Sequence, residues 1–120
     1  MIKKKITTPE TLPCLIEVVE IIKTYYSPDK IILFGPYVMG NITKKSEINL
    51  FVIKDSYLPK GQRAAEIQEF LSICTTPVDL LMYTPLEFEK GLMNRGSFIY
   101  NVMNISRVLY DKELELENAL

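Results

Sequence analysis

A chain of 120 residues, 48% apolar and 24% charged, has the balance of one ordinary globular domain, long enough to bury roughly two-thirds of the surface its unfolded form exposes. A formal net charge of -1 argues against general binding of nucleic-acid phosphates. The absence of histidine removes imidazole-based hydrolases and zinc proteases, and with only two cysteines almost any zinc site, leaving carboxylates, hydroxyls, lysines and bound ions.

Lys3, Lys4 and Lys5 read as a solvated tail. Glu10, Glu17 and Glu20 interrupt every apolar stretch behind them, so neither a signal peptide nor a membrane span is expected, and the cytoplasm is the default location. Thr8-Pro9-Glu10 has the form of an N-cap, a first-turn proline and a first-turn acid. Leu12, Leu15, Ile16, Val19, Ile22 and Tyr26 then recur at helical spacing until Ser27-Pro28-Asp29 stops the helix. Lys30 to Phe34 is a short apolar run of the kind that makes a buried strand ending at Gly35. Pro36 suits the first turn of a short helix that Gly40 ends.

Residues 46 to 54 alternate and then turn fully apolar, as a central strand does, with Ile48, Leu50 and Val52 on one face. Gly61 to Cys74 has a helical pattern with Ala64, Ile67, Leu71 and Cys74 on one side, and Pro77 to Tyr83 reads as a third strand. Thr84-Pro85-Leu86-Glu87 matches a capping box with proline at the first position, so a helix starts there. Ser97 to Met103 reads as another helix, and Arg107 to Tyr110 as a short extended piece that closes the core. The last ten residues read as a charged, frayed tail from about residue 111. Tyr25, Tyr26, Tyr83 and Tyr100 fall on core-facing patterns. Cys14 and Cys74 each sit on an apolar helical pattern, where a cysteine is usually a small buried hydrophobe and a disulfide is the minority outcome. The order of elements makes one α+β domain over 1–120, a small mixed sheet flanked by helices.

Glu47 and Asn49, two apart on a strand, project from one sheet face about 7 Å apart while Ile48 points into the core. If the strand bearing Asp79 is a neighbour, three oxygen-bearing side chains gather above that face. Such a set suits Mg²⁺, and a glycine turn nearby could present phosphates to the ion. Read without further context, the three are ordinary polar residues at strand ends, and Lys44 and Lys45 are solvated loop lysines.

The stretch from Ile31 to Ile53, IILFGPYVMGNITKKSEINLFVI, resembles the signature of the minimal nucleotidyltransferases of the DNA polymerase β superfamily, where Leu-Phe-Gly-Ser-Tyr-Ala-Arg-Gly precedes Ser-Asp-Ile-Asp-Leu. The register fits without a gap from Gly35 to Leu50. Pro77-Val78-Asp79-Leu80-Leu81 is similar to the strand that bears the family's third aspartate, and Phe98 to Tyr110 to its closing helix and Val-Leu-Tyr end. The resemblance implies a polymerase β-like fold. It also implies a site in which the Gly-Ser turn grips a triphosphate and three aspartates manage two Mg²⁺ ions, the third also preparing the attacking hydroxyl.

This chain departs from that pattern at four positions: Pro36 for serine, Met39 for arginine, and Glu47 and Asn49 for the paired aspartates. Asp79 is kept. Proline removes a hydroxyl and an N–H that would face phosphate, and methionine keeps arginine's bulk without its charge or fork. Asn49 offers one neutral acceptor oxygen where a carboxylate could bridge two cations.

The expectation is therefore a degenerate site, with Asp79 and Glu47 as remnants of the catalytic set. Gly35, Pro36 and Met39 would be remnants of the nucleotide-binding turn, and Glu47, Asn49 and Asp79 of the metal site. Such a domain would act as a binding or regulatory partner, antitoxin-like, toward a HEPN-type helical protein, as the family's short chains do, or as a homodimer. The alternative is a working transferase, using Mg²⁺ or Mn²⁺, that moves a nucleoside monophosphate from ATP or another triphosphate to a hydroxyl of a protein or small molecule.

Overall fold

Five consecutive residues with almost no polar relief require a strand covered on both sides, and Lys30–Phe34 occupies such a place as β1. The computed structural model describes residues 11–119. Within them the chain forms α1 (Thr11–Tyr26), β1, α2 (Pro36–Met39), β2 (Ile48–Ile53), α3 (Ala65–Gln68), β3 (Val78–Tyr83), α4 (Pro85–Leu92), α5 (Phe98–Met103), β4 (Ser106–Asp111) and α6 (Lys112–Ala119). The predicted cap at Thr8 and the lysine triplet lie outside the described residues.

The four strands form one sheet in the order β3-β2-β1-β4. Strand β1 pairs antiparallel with β2 and β4, whereas β2 and β3 run parallel, joined by the crossover through α3. The sheet is mixed and the domain α+β, as expected. On one face Ile31, Leu33, Ile48, Leu50, Val52 and Met82 pack beneath α1 and α3 in the larger core. On the other, Ile32, Phe34, Phe51 and Ile53 meet Phe88 of α4 and Ile99 of α5. Phe51 is fully buried and stacks on Phe34 at 4.3 Å between centroids, with Phe88 edge-on at 5.6 Å.

Four sequence expectations are corrected. In α1 the buried stripe is Leu15, Val18 and Ile22, while Ile16 is 57% exposed: the helix lies rotated from the predicted face so that a 15-18-22 row enters the core. Tyr25, expected to face the core, is 62% exposed and stacks on Phe70 at 4.8 Å.

The helix predicted over 61–74 is broken into 3₁₀ turns at Lys60–Gln62 and Glu69–Ile73 flanking the single turn of α3. There the Ser72 hydroxyl donates to the Glu69 carbonyl at 3.0 Å, taking an acceptor that a continuing helix would use. Ile67, Leu71 and Cys74 still reach the core.

Where a frayed tail was predicted, Lys112–Ala119 is helical. The Asp111 carboxylate accepts from the Glu113 N–H at 3.0 Å as a cap, Glu113 and Glu115 occupy the positive first turn, and Lys112 is tied to Asp29.

Two predicted starts are found as expected. Thr84 Oγ1 accepts from the Glu87 N–H at 3.1 Å while Glu87 Oε1 accepts from the Thr84 N–H at 2.9 Å, completing the capping box of α4. Ser97 caps α5, its hydroxyl oxygen accepting from the Tyr100 N–H at 3.0 Å.

Candidate functional site

The C-terminal end of β1 and the N-terminal ends of β2 and β3 meet at one end of the sheet because β1 runs opposite to both. Gly35 leaves β1 there with φ 88° and ψ −155°, a backbone region open to glycine and costly for any other residue. Its carbonyl accepts from Val38 and Met39, both at 3.0 Å, and starts α2 with Pro36 at the first position. Gly40, with φ 90°, ends that turn by donating to the Pro36 carbonyl at 2.8 Å. The strand, turn, short helix and glycine stop all stand where the sequence places them.

Ladder register decides which side chains gather. Asn49 is paired with Phe34 on one side and with Asp79 on the other, so it stands between the glycine turn and the third acid. Cross-strand neighbours on one face are about 5 Å apart at the backbone. By alternation Asn49 and Asp79 share the face of Phe34 and Phe51. Glu47 precedes β2, exposed at the end of a tight turn in which the Thr43 N–H donates to Ser46 Oγ at 2.8 Å. The Ile48 N–H donates to the Pro77 carbonyl at 2.8 Å, which aligns the start of β2 with the start of β3. Asp79 is exposed and Asn49 half-buried. Glu47, Asn49 and Asp79 thus stand at one end of the sheet, the placement that the sequence suggested.

The position of Asn49 relative to Gly35 is the sharpest feature of this end. A Cβ built on Gly35 would overlap the carboxamide nitrogen of Asn49 and come within 3.4 Å of its Cγ. The amide is thus packed on the glycine α-carbon, in the throat between turn and acids. Its neutral group belongs to the residue paired with Asp79 in the ladder and two places after Glu47. Glu47 and Asp79 supply negative charge at the rim, but among the described residues no three of Cys, Asp and Glu are placed to hold a metal ion. The donor set does not fit a pair of divalent cations: two would share two carboxylates and one neutral oxygen. Met39 is 50% exposed on α2 and brings no charge, and Pro36 has no N–H to offer. Lys44 and Lys45 are exposed on the turn before Glu47.

Two constellations escaped the sequence reading. Arg63 is 6% exposed, and its guanidinium donates to the carbonyls of Leu58 at 2.9 Å and Met82 at 3.1 Å and to both oxygens of Glu87 at 2.7 and 3.1 Å. Glu87 is held at a pKa of about 2, first by the hydrogen bond from Arg63 and next by that from the Thr84 backbone. An arginine at the edge of an apolar helical face, with a capping-box glutamate still to come, was the available signal. Cys14 and Cys74 are joined in a disulfide, Cα atoms 5.4 Å apart, where two separate buried thiols were expected. Both do pack into the larger core. Neither constellation is at the candidate site. A surface cavity of about 420 Å³ between Lys30, Phe88, Glu89 and Asp111 is at the opposite end of the sheet and contains none of the predicted site residues.

The chain is similar to proteins of known family in two comparisons. A crystal structure of a candidate nucleotidyltransferase from Sulfolobus solfataricus superposes with a TM-score of 0.56 at 14% identity, covering 89% of this chain and 92% of that one, which is a likeness of fold. No curated protein matches the chain. No described helix is long and apolar enough to cross a membrane. The family model described as Polymerase beta, Nucleotidyltransferase matches residues 17–115, spanning α1 to the start of α6 and every position of the candidate site, and the chain belongs to that family.

Proposed function

We propose that this nucleotidyltransferase-like domain has lost nucleotidyl transfer and acts as a binding or regulatory partner, in the manner of an antitoxin toward a HEPN-type helical protein. The observation that carries this reading is the Asn49 carboxamide, packed on Gly35 and paired in the ladder with Asp79. In the family's pattern a second carboxylate stands at that point. A neutral amide there leaves two anionic side chains, which is too little charge to bring two divalent cations together against their mutual repulsion. Proline at the turn withdraws a phosphate contact and methionine withdraws a guanidinium, so three of the four replacements act in the same direction. A partner surface has material to work with: Ile16 and Tyr25 on α1 and Phe70 and Ile73 on the neighbouring 3₁₀ turn are all exposed.

The test is incubation with labelled nucleoside triphosphates and Mg²⁺ or Mn²⁺, alone and with the product of the adjacent gene. The variant carrying Pro36→Ser, Met39→Arg, Glu47→Asp and Asn49→Asp is run beside it. The unaltered chain is expected to transfer no label, and the variant to regain nucleotide binding. Label transfer by the unaltered chain, abolished by Asp79→Asn, would overturn the reading. The exposure of both Glu47 and Asp79 favours that second outcome, a transferase working on a single ion, over a purely structural homodimer.

A further inference from the structure

The cysteine pair belongs to neither the fold's family signature nor the candidate site. Cys14 lies in the first turns of α1, and Cys74 follows the 3₁₀ turn Glu69–Ile73, 60 residues later. They are the only two cysteines in the chain. Their Cα separation of 5.4 Å falls within the range that a disulfide spans without backbone movement. Leu15, Val18 and Ile22 of the one segment share the larger core with Ile67 and Leu71 of the other, and the exposed Tyr25 and Phe70 rings are stacked. Cys14 is half-buried, and Cys74 lines a surface cavity of about 310 Å³ with Gln68, Ser72 and Thr76. Cys14 is the more open of the two to a small disulfide in solution, since Cys74 is only 8% exposed.

We infer that Cys14 and Cys74 form a reversible thiol–disulfide fastener that couples the redox state of the surroundings to the hold of α1 on the Glu69–Ile73 turn and the connection into β3. The step is exchange with a small-molecule disulfide such as oxidised glutathione. The Cys14 thiolate attacks one glutathione sulfur and expels a glutathione thiolate, giving a mixed disulfide. The Cys74 thiolate then attacks the Cys14 sulfur and expels the second. The two protein thiols are oxidised and one glutathione disulfide is reduced, its two thiolates taking up the two protons that the protein thiols give up. The turn being fastened has i→i+3 geometry, which holds less firmly than α-helix and depends the more on its anchors. Residues 75–77 connect it directly to the strand that carries Asp79, and the apolar residues Phe70 and Ile73 stand on it.

The experiment equilibrates the full chain at a series of oxidised-to-reduced glutathione ratios, followed by acid quench, intact mass and amide exchange. The expected product at the oxidising end is a monomer about 2 Da lighter than the reduced chain, carrying no glutathione. Amides of 69–78 are expected to exchange several-fold faster in the reduced form while those of β1 and β2 do not change. Cys74→Ser is expected to trap a stable glutathione adduct on Cys14. A chain that keeps its dithiol mass at every ratio would overturn the inference, as would adducts on both cysteines of the unaltered protein, or an oxidised form whose 69–78 segment exchanges as in the reduced one.

Discussion

Glu87 connects three parts of the molecule, and its removal has a calculable cost. Its carboxylate takes both forks of the Arg63 guanidinium and closes the cap of α4, while Arg63 in turn holds the carbonyl ends of Leu58 and Met82. A fall in pKa from 4.5 to about 2 is worth roughly 3 kcal/mol at face value. The Glu87 side chain is 40% exposed, so solvent screening brings the expected contribution down to about 1–2 kcal/mol.

The sign follows from the direction of the shift. Below 4.5 the unfolded chain takes up the proton before the folded one does, so the stabilisation is complete above about 4.5 and is lost as pH falls toward 2. Glu87→Gln removes the charge and keeps much of the shape. Urea unfolding of both proteins should show the variant weaker by about 1–2 kcal/mol at pH 7, with the gap closing between pH 4.5 and 2.5. Glu87→Ala should cost about 2–4 kcal/mol, because it leaves a buried guanidinium short of its counter-charge and opens the cap. A gap that stays constant from pH 7 to 2.5, or is absent at pH 7, would refute the account.

Gly35→Ala should destabilise the domain by about 2–3 kcal/mol in thermal or urea unfolding, since its φ of 88° and its contact with Asn49 both oppose a Cβ. Adding Asn49→Ala should recover about 1 kcal/mol and no more, because truncating the amide relieves the overlap and not the backbone; full recovery would show that φ is not the obstacle. Gly91→Ala in α4 should lose about 1–2 kcal/mol although alanine is the better helix former. The new Cβ would stand 2.9 Å from that of Ile99 and separate α4 from α5, and a gain of stability would show that the two helices have slack.

How much was legible depended on whether a local rule was also the deciding one. The run Lys30–Phe34 had one satisfactory place, between two covered faces, and the Thr84–Glu87 box fixed its helix start by bonds within four residues. The meeting of Asn49 with Asp79 followed from alternation once the strands were taken as neighbours. The failures are mostly tertiary. Which row of α1 turns inward depends on the sheet beneath it, so Val18 is buried and Ile16 is not. The Arg63–Glu87 pair joins positions 24 apart and the cysteine bridge positions 60 apart, and no periodicity carries such information. The last helix was missed because its cap, Asp111, also ends a strand.

The four replaced positions differ in what the fold asks of them, which is why the site could change while the architecture stayed. Pro36 has only to begin a helical turn, and its fixed φ does so with an N–H that the turn does not need. Asn49 needs its backbone in the ladder between Phe34 and Asp79 and a flat side chain against Gly35, and an amide meets both demands as well as a carboxylate does. Glu47 and Met39 are exposed and carry little packing. None of these substitutions removes a core contact, so each costs the fold little. Gly35 is the contrary case: no other residue reaches its φ without strain, so the fold keeps glycine there whether or not the turn binds phosphate. The geometry of the turn is thus maintained by the backbone alone. A protein using this domain as a shaped surface would lose that shape with Gly35 and keep it with Asn49, whereas an enzyme would suffer from either change. Comparing partner binding by Gly35→Ala and Asn49→Ala therefore separates the two uses.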